Sequence, residues 1–117
     1  GVINTSDERE KQQIERDLSP ELRAWAKVGF SKFKFNDAVA IKGDDARWHF
    51  GVIAQEVKTA FESEGLNPFE YGILCYDEWE EELNEDGTIA IEAGSRYGVR
   101  YEEVLILECA LLRSRMA

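Results

Sequence analysis

At 117 residues the chain fits a single domain, and a composition of 44% hydrophobic and 11% aromatic residues supplies enough apolar surface for an ordered core, which sets the disordered class aside. Asp and Glu outnumber Lys and Arg 24 to 14, and the formal charge of -10 repels phosphates, which argues against a nucleic acid partner. No run approaches the ~20 apolar residues of a membrane span, and the N-terminus lacks a signal-peptide pattern, so the reading is a soluble cytoplasmic product with no membrane partner.

Residues 1–5 read as a short extended lead-in. Ser6, followed by Asp7, Glu8 and Glu10, has the form of a helix N-cap with acids in the first turn, and predicts a helix that buries a narrow stripe of Ile14 and Leu18. Ser19-Pro20-Glu21 restarts a helix that buries Leu22, Trp25 and Ala26 and ends near Gly29. Residues 30–41 then alternate, with Phe33 and Phe35 on one face against Lys32 and Lys34 on the other, which predicts a half-buried strand. Gly43-Asp44-Asp45 makes the turn into a second strand over residues 48–54.

From Ile53 the apolar spacing becomes helical through Val57, Ala60 and Phe61, with Gly65 as the C-terminal cap. Residues 71–76 and 88–91 read as strands of a long hairpin closed by Asn84-Glu85-Asp86-Gly87. Its distal part, Asp77 to Leu83, is too acidic for a core and should project into solvent, although Trp79 and Leu83 call for something to touch. Tyr97, Val99 and Tyr101 alternate before Glu102 and Glu103 open a last helix that is apolar nearly all round. Burial in its own core and contact with copies of itself fit that pattern equally well.

Cys75 and Cys109 sit in apolar segments without CxxC spacing and read as buried thiols. With His49 as the one histidine, no His/Cys zinc set can be assembled. The fold class expected is α+β: a small antiparallel sheet with a long protruding hairpin, flanking helices and an apolar C-terminal helix.

Three blocks carry a resemblance. Ser6, Asp7, Arg9, Lys11 and Ile14 meet a Ser-Asp-x-Arg-x-Lys-x-x-Ile pattern. Gly51, Ile53, Ala54, Gln55, Glu56 and Val57 meet Gly-x-Ile-Ala-Gln-Glu-Val, with His49 just ahead. Gly98, Val99 and Tyr101 meet a Gly-Val-x-Tyr turn into the terminal helix. In this order the chain resembles the endosialidase-type intramolecular chaperones at the C-termini of phage tailspikes and tail fibres.

The resemblance implies a homotrimer that holds an upstream β-helical shaft in register with its hairpins and then releases itself by cutting between Thr5 and Ser6. Residues 1–5 would be the remnant of the shaft, and residues 6–117 the chaperone domain. Partners would be two identical subunits and the shaft of the same precursor. The place of action would be the host cytoplasm during virion assembly, with the domain absent from the mature fibre. The dyad positions are Ser6 and Lys11, Asp7, Arg9 and His49 are possible supports, and no cofactor is required.

The chemistry constrains the site further. A serine hydroxyl needs a base to take its proton, and a lysine serves only when desolvation leaves it neutral. Asp7, Glu8 and Glu10 oppose this, so an isolated chain should hold the lysine charged, and assembly should supply the missing burial. On a regular helix, positions five apart lie ~140° apart, so either Ser6 stands off the helix or the lysine comes from another subunit. A non-cleaving trimerisation cap and an acidic protein-binding adaptor remain as alternatives.

Overall fold

The computed structural model describes residues 3–117; Gly1 and Val2 of the lead-in lie outside the described residues. The helix expected from Ser6 does not form. A single 3-10 turn, Glu8–Glu10, takes its place, capped by the Asp7 side chain instead of Ser6, and Lys11 is already back in extended backbone. Gln13 has a left-handed φ of 52°, and Ile14 is 60% exposed, so the predicted stripe is not buried. A short helix is marginal in water without an apolar face to dock, and this segment offers little beyond Ile14 and Leu18.

Helix α1, Ser19–Trp25, starts where Ser-Pro-Glu places it, with Pro20 in its first turn. The Asp17 carboxylate accepts hydrogen bonds from the Ser19 N–H and hydroxyl. The helix ends well before Gly29 and buries Ala24 with Trp25, whereas Ala26 is exposed. The strand predicted over residues 30–41 shrinks to β1, Ser31–Phe33. Helix α2, Asn36–Lys42, follows, with Asp37 in its first turn and Lys42 in its last, an arrangement that complements the helix dipole.

After a 3-10 turn at Gly43–Asp45, strand β2 covers only His49–Gly51 and pairs antiparallel with β1. Helix α3, Ala54–Ser63, buries Val57, Ala60 and Phe61 as its periodicity predicts. Gly65, with φ 72°, closes it: the Leu66 N–H bonds the Phe61 carbonyl and the Gly65 N–H bonds that of Glu62, the two bonds of a Schellman cap.

The hairpin pairs differently from the expectation. Strand β3, Leu74–Trp79, pairs with β6, Gly94–Val99, while the short strands β4, Glu82–Leu83, and β5, Ile89–Ile91, form a separate distal ladder with an irregular register. The architecture is therefore α+β with three two-stranded antiparallel ladders instead of one sheet. The tip turns as its sequence requires. Gly87 has φ 85°, the Asn84 N–H bonds the Thr88 carbonyl at 2.8 Å, and Asp86 accepts from the Thr88 N–H. The radius of gyration is 18.5 Å, against about 13 Å expected for a compact chain of this length; residues 76–93 are all exposed and the distal ladder packs extensively on no other described element, so the hairpin projects.

Helix α4, Tyr101–Met116, completes the core. Val104 and Leu111 pack with Trp25, Val28, Val52, Val57, Phe61 and Ile73. Leu107 packs partly against this core, whereas a second face is bare, with Leu105 62%, Ile106 66% and Met116 84% exposed. The thiols differ from the expectation, Cys109 being exposed and Cys75 only partly buried, because Cys109 lies on that bare face. No helix among the described residues is long and apolar enough to cross a membrane.

Tyr71 ties α1 to α3. Its hydroxyl donates to Glu21 at 2.8 Å and its ring meets Phe61 edge-on at 5.3 Å. Burial first, then the hydrogen bond and charge of Glu21, push the phenol from 10.0 up to about 12. The folded state thus holds this proton more tightly, and the resulting stability is full below pH 10 and lost as pH rises through about 12. Denaturant midpoints across this window should fall more steeply for the wild-type chain than for Tyr71→Phe.

Candidate active site

Ser6 lies ahead of the 3-10 turn, outside any helix, and both it and Thr5 are exposed. The turn doubles the chain back, so that the extended Lys11 reaches over it. The Lys11 Nζ donates a hydrogen bond to the Ser6 Oγ at 2.8 Å. Two residues that could not meet on a helix face therefore meet within one chain because no helix forms there. A nucleophile within hydrogen-bond reach of a base is the geometric requirement for an activated hydroxyl.

Asp7 and Arg9 are brought together with each other. The Arg9 guanidinium grips both carboxylate oxygens, with Nη2 at 2.7 Å from Oδ2, and Oδ1 also takes the Arg9 backbone N–H. The Arg9 side chain, and then its backbone N–H, hold the Asp7 carboxyl below the usual carboxylate range. His49 is not part of this group. It stands on β2 with its ring against Phe35 at 4.9 Å and Phe33 at 6.3 Å, and among the described residues no hydrogen bond joins it to Ser6 or Lys11. No set of three metal-ligating side chains is gathered among the described residues.

The other two sequence blocks meet elsewhere. The Tyr101 phenol lies directly against Gly51, where an added Cβ would stand 3.0 Å from Tyr101 Cζ and overlap its hydroxyl. The Val52 N–H donates to that hydroxyl at 3.3 Å.

The profile of the family described as chaperone of endosialidase, a peptidase family by its designation, matches residues 6–66. The chain belongs to this family. The crystal structure of a novel intramolecular chaperone superposes with a TM-score of 0.84 and 45% identity, covering 95% of this chain and 98% of that one. The carboxy-terminal domain of the bacteriophage T5 L-shaped tail fibre, with its intramolecular chaperone domain, gives a TM-score of 0.74 and 32% identity over 99% of this chain and 30% of that one. The tail spike protein of Escherichia virus K5 is 49% identical over 114 residues, 93% of this chain. This chain spans only 18% of that tail spike's length.

The protein is an intramolecular chaperone domain of the phage tail spike and tail fibre type. In this family member the Gly51 block and the Tyr101 block form a structural latch joining β2 to α4. Both blocks are visible in the sequence but their contact is not, because a glycine that admits a phenol leaves no local signal. Gly51→Ala should destabilise the chaperone by about 1–3 kcal/mol through overpacking, read as a lowered thermal midpoint. Gly29→Ala, where nothing lies within 4 Å of the added Cβ, should leave the midpoint almost unchanged.

The hairpin also explains itself in part. Trp79 sits over Gly94, donates through Nε1 to the Glu92 carbonyl at 2.9 Å and lies under the Arg96 guanidinium at 5.6 Å. Its partners are thus within the hairpin. Leu83, 57% exposed, and Ile89, 52% exposed, stay open near the tip. Residues 77–92 hold eight acids and no base, so the hairpin carries most of the net charge of -10.

Proposed function

We propose that this chaperone domain assembles as a homotrimer, steadies the β-helical shaft that precedes it in its own precursor, and then detaches by cutting between Thr5 and Ser6. In this reading residues 1–5 are the end of the shaft and residues 6–117 the released domain. The work is done in the host cytoplasm during virion assembly, and the mature fibre keeps only the shaft. The contact between Lys11 Nζ and Ser6 Oγ at 2.8 Å carries the cleavage part of this reading.

The steps balance without a cofactor. Neutral Lys11 takes the Ser6 hydroxyl proton as Oγ bonds to the Thr5 carbonyl carbon. The Thr5–Ser6 C–N bond breaks, and the lysine returns the proton to the departing Ser6 amine. A water then hydrolyses the Thr5 ester, restoring the hydroxyl and freeing the Thr5 carboxylate. The lysine acts within its own chain, since its reach to Ser6 needs no second subunit.

Trimerisation is the step that readies the base. Lys11 is exposed in the single chain, and a lysine serves as a base where water is excluded from it. The bare apolar face of α4 around Leu105, Ile106 and Met116 is the surface on which three copies would close, drying the N-terminal segment as they do. The acidic hairpins, with Leu83 and Ile89 open, would extend along the shaft.

The test is intact mass of the precursor expressed with its upstream shaft. Loss of everything before Ser6 in the wild type, and one uncut mass for Ser6→Ala, support self-cleavage. An uncut wild type in a folded fibre leaves the trimerisation cap as the function.

A further inference from the structure

The turn that carries Ser6 and Lys11 holds a second pair of charges that the cleavage steps do not use. Arg9 Nε lies 3.1 Å from each Asp7 carboxylate oxygen, and Nη2 completes a two-toothed grip. The same carboxylate caps the turn through the Arg9 N–H at 2.9 Å. Backbone bonds from the Glu10 N–H to the Asp7 carbonyl and from the Lys11 N–H to the Glu8 carbonyl finish the bend. Among the described residues no helix or strand packs extensively against this turn, so its shape rests on these bonds.

The electrostatics point the same way. The charged side chains flanking Lys11 in the turn are Asp7, Glu8, Arg9 and Glu10. Any free carboxylate among them favours the ammonium form of the lysine. Asp7, next to the nucleophile in sequence, is the one whose charge is cancelled at contact distance.

We propose that the Asp7–Arg9 pair is a positioning clip with an electrostatic role: it holds the bend that delivers Lys11 to Ser6, and it cancels the carboxylate that would otherwise keep Lys11 charged. The inference rests on the Ser6–Lys11 mechanism above and extends it to two residues that touch neither the scissile carbonyl nor the departing amine.

Three precursor variants, each followed by its pH–rate profile for self-cleavage, test it. Arg9→Gln exposes the Asp7 charge, and the pH of half-maximal cleavage should rise, by on the order of half a unit. Asp7→Asn keeps an oxygen for the Arg9 N–H but leaves the guanidinium charge unbalanced, and the midpoint should fall by a similar amount. Arg9→Lys keeps the charge and loses the two-toothed grip, so the midpoint should stay while the maximal rate drops about tenfold.

Opposite shifts for the first two variants are the supporting result, since a merely structural role would not move a midpoint in two directions. Coincident midpoints for all variants and the wild type would overturn the clip while leaving the dyad standing. A lowered thermal midpoint that tracks the lost rate would make the pair a stabiliser of the fold and would also overturn it. Failure of the mechanism itself shows separately, as a Lys11→Met control that cleaves at the wild-type rate.

Discussion

A precursor carrying Lys11→Met should accumulate uncut, its self-cleavage slowed by about 10²–10⁴-fold, the usual contribution of a positioned general base. Methionine keeps an unbranched stem of similar bulk and removes the amine with its hydrogen bond to Ser6, and Lys11 lies in an exposed turn outside the core. Folding and assembly should therefore match the wild type. Co-expression of Lys11→Met chains with Ser6→Ala chains sharpens the result. Because Lys11 reaches Ser6 in its own chain at 2.8 Å, mixed assemblies should remain uncut, and restored cleavage would instead place the base on a neighbouring subunit. Intact mass after purification reads both experiments.

The second large effect is on stability. Trp25 is 1% exposed and sits where α1 meets α4, with its Nε1 donating to Glu108 at 2.8 Å. Trp25→Ala should destabilise the domain by about 3–5 kcal/mol, from lost burial plus the cavity left behind. Trp25→Phe fills most of the space but strips the partly buried Glu108 carboxylate of its donor, and should cost about 1–3 kcal/mol. Denaturant midpoints at constant protein concentration give both values. Since α4 also carries the bare face assigned to assembly, the alanine variant should cleave poorly as well, through loss of the trimer and not through the dyad.

What the sequence revealed depended on whether the signal was local. The helix of Val57, Ala60 and Phe61 was legible because its apolar period matches a face that does become buried, and Gly65 stops it where a left-handed residue is required. Helix α2 was not, because the clear alternation of Lys32 to Phe35 has no break in spacing where the strand ends. Val39 and Ile41 extend the alternation by spacing, yet Ile41 is 82% exposed, and Asn36-Asp37 is the helix start that stops the strand. The hairpin turn was legible from Asp86-Gly87, but a turn does not say how far its ladder runs. The break between the two ladders left β3 paired with β6, a partner that local pattern could not choose.

The site followed the same rule. Ser6 and Lys11 stood out by their motif, and the five-residue spacing left two ways for them to meet: Ser6 off the helix, or a lysine from another subunit. That both residues lie outside a regular helix, around a capped 3-10 turn, depends on the absence of an apolar face to sustain a longer helix. The latch of Tyr101 on Gly51 joins residues far apart in sequence and needed the fold to be seen.

On the proposed mechanism, Lys11 becomes a base only when three chains exclude water from the turn that holds it beside Ser6. Native mass spectrometry of the matured precursor tests this most directly. The expected product is a released particle of three copies, each starting at Ser6. A released single copy, or a trimer whose Thr5–Ser6 bonds are all intact on a folded shaft, contradicts it.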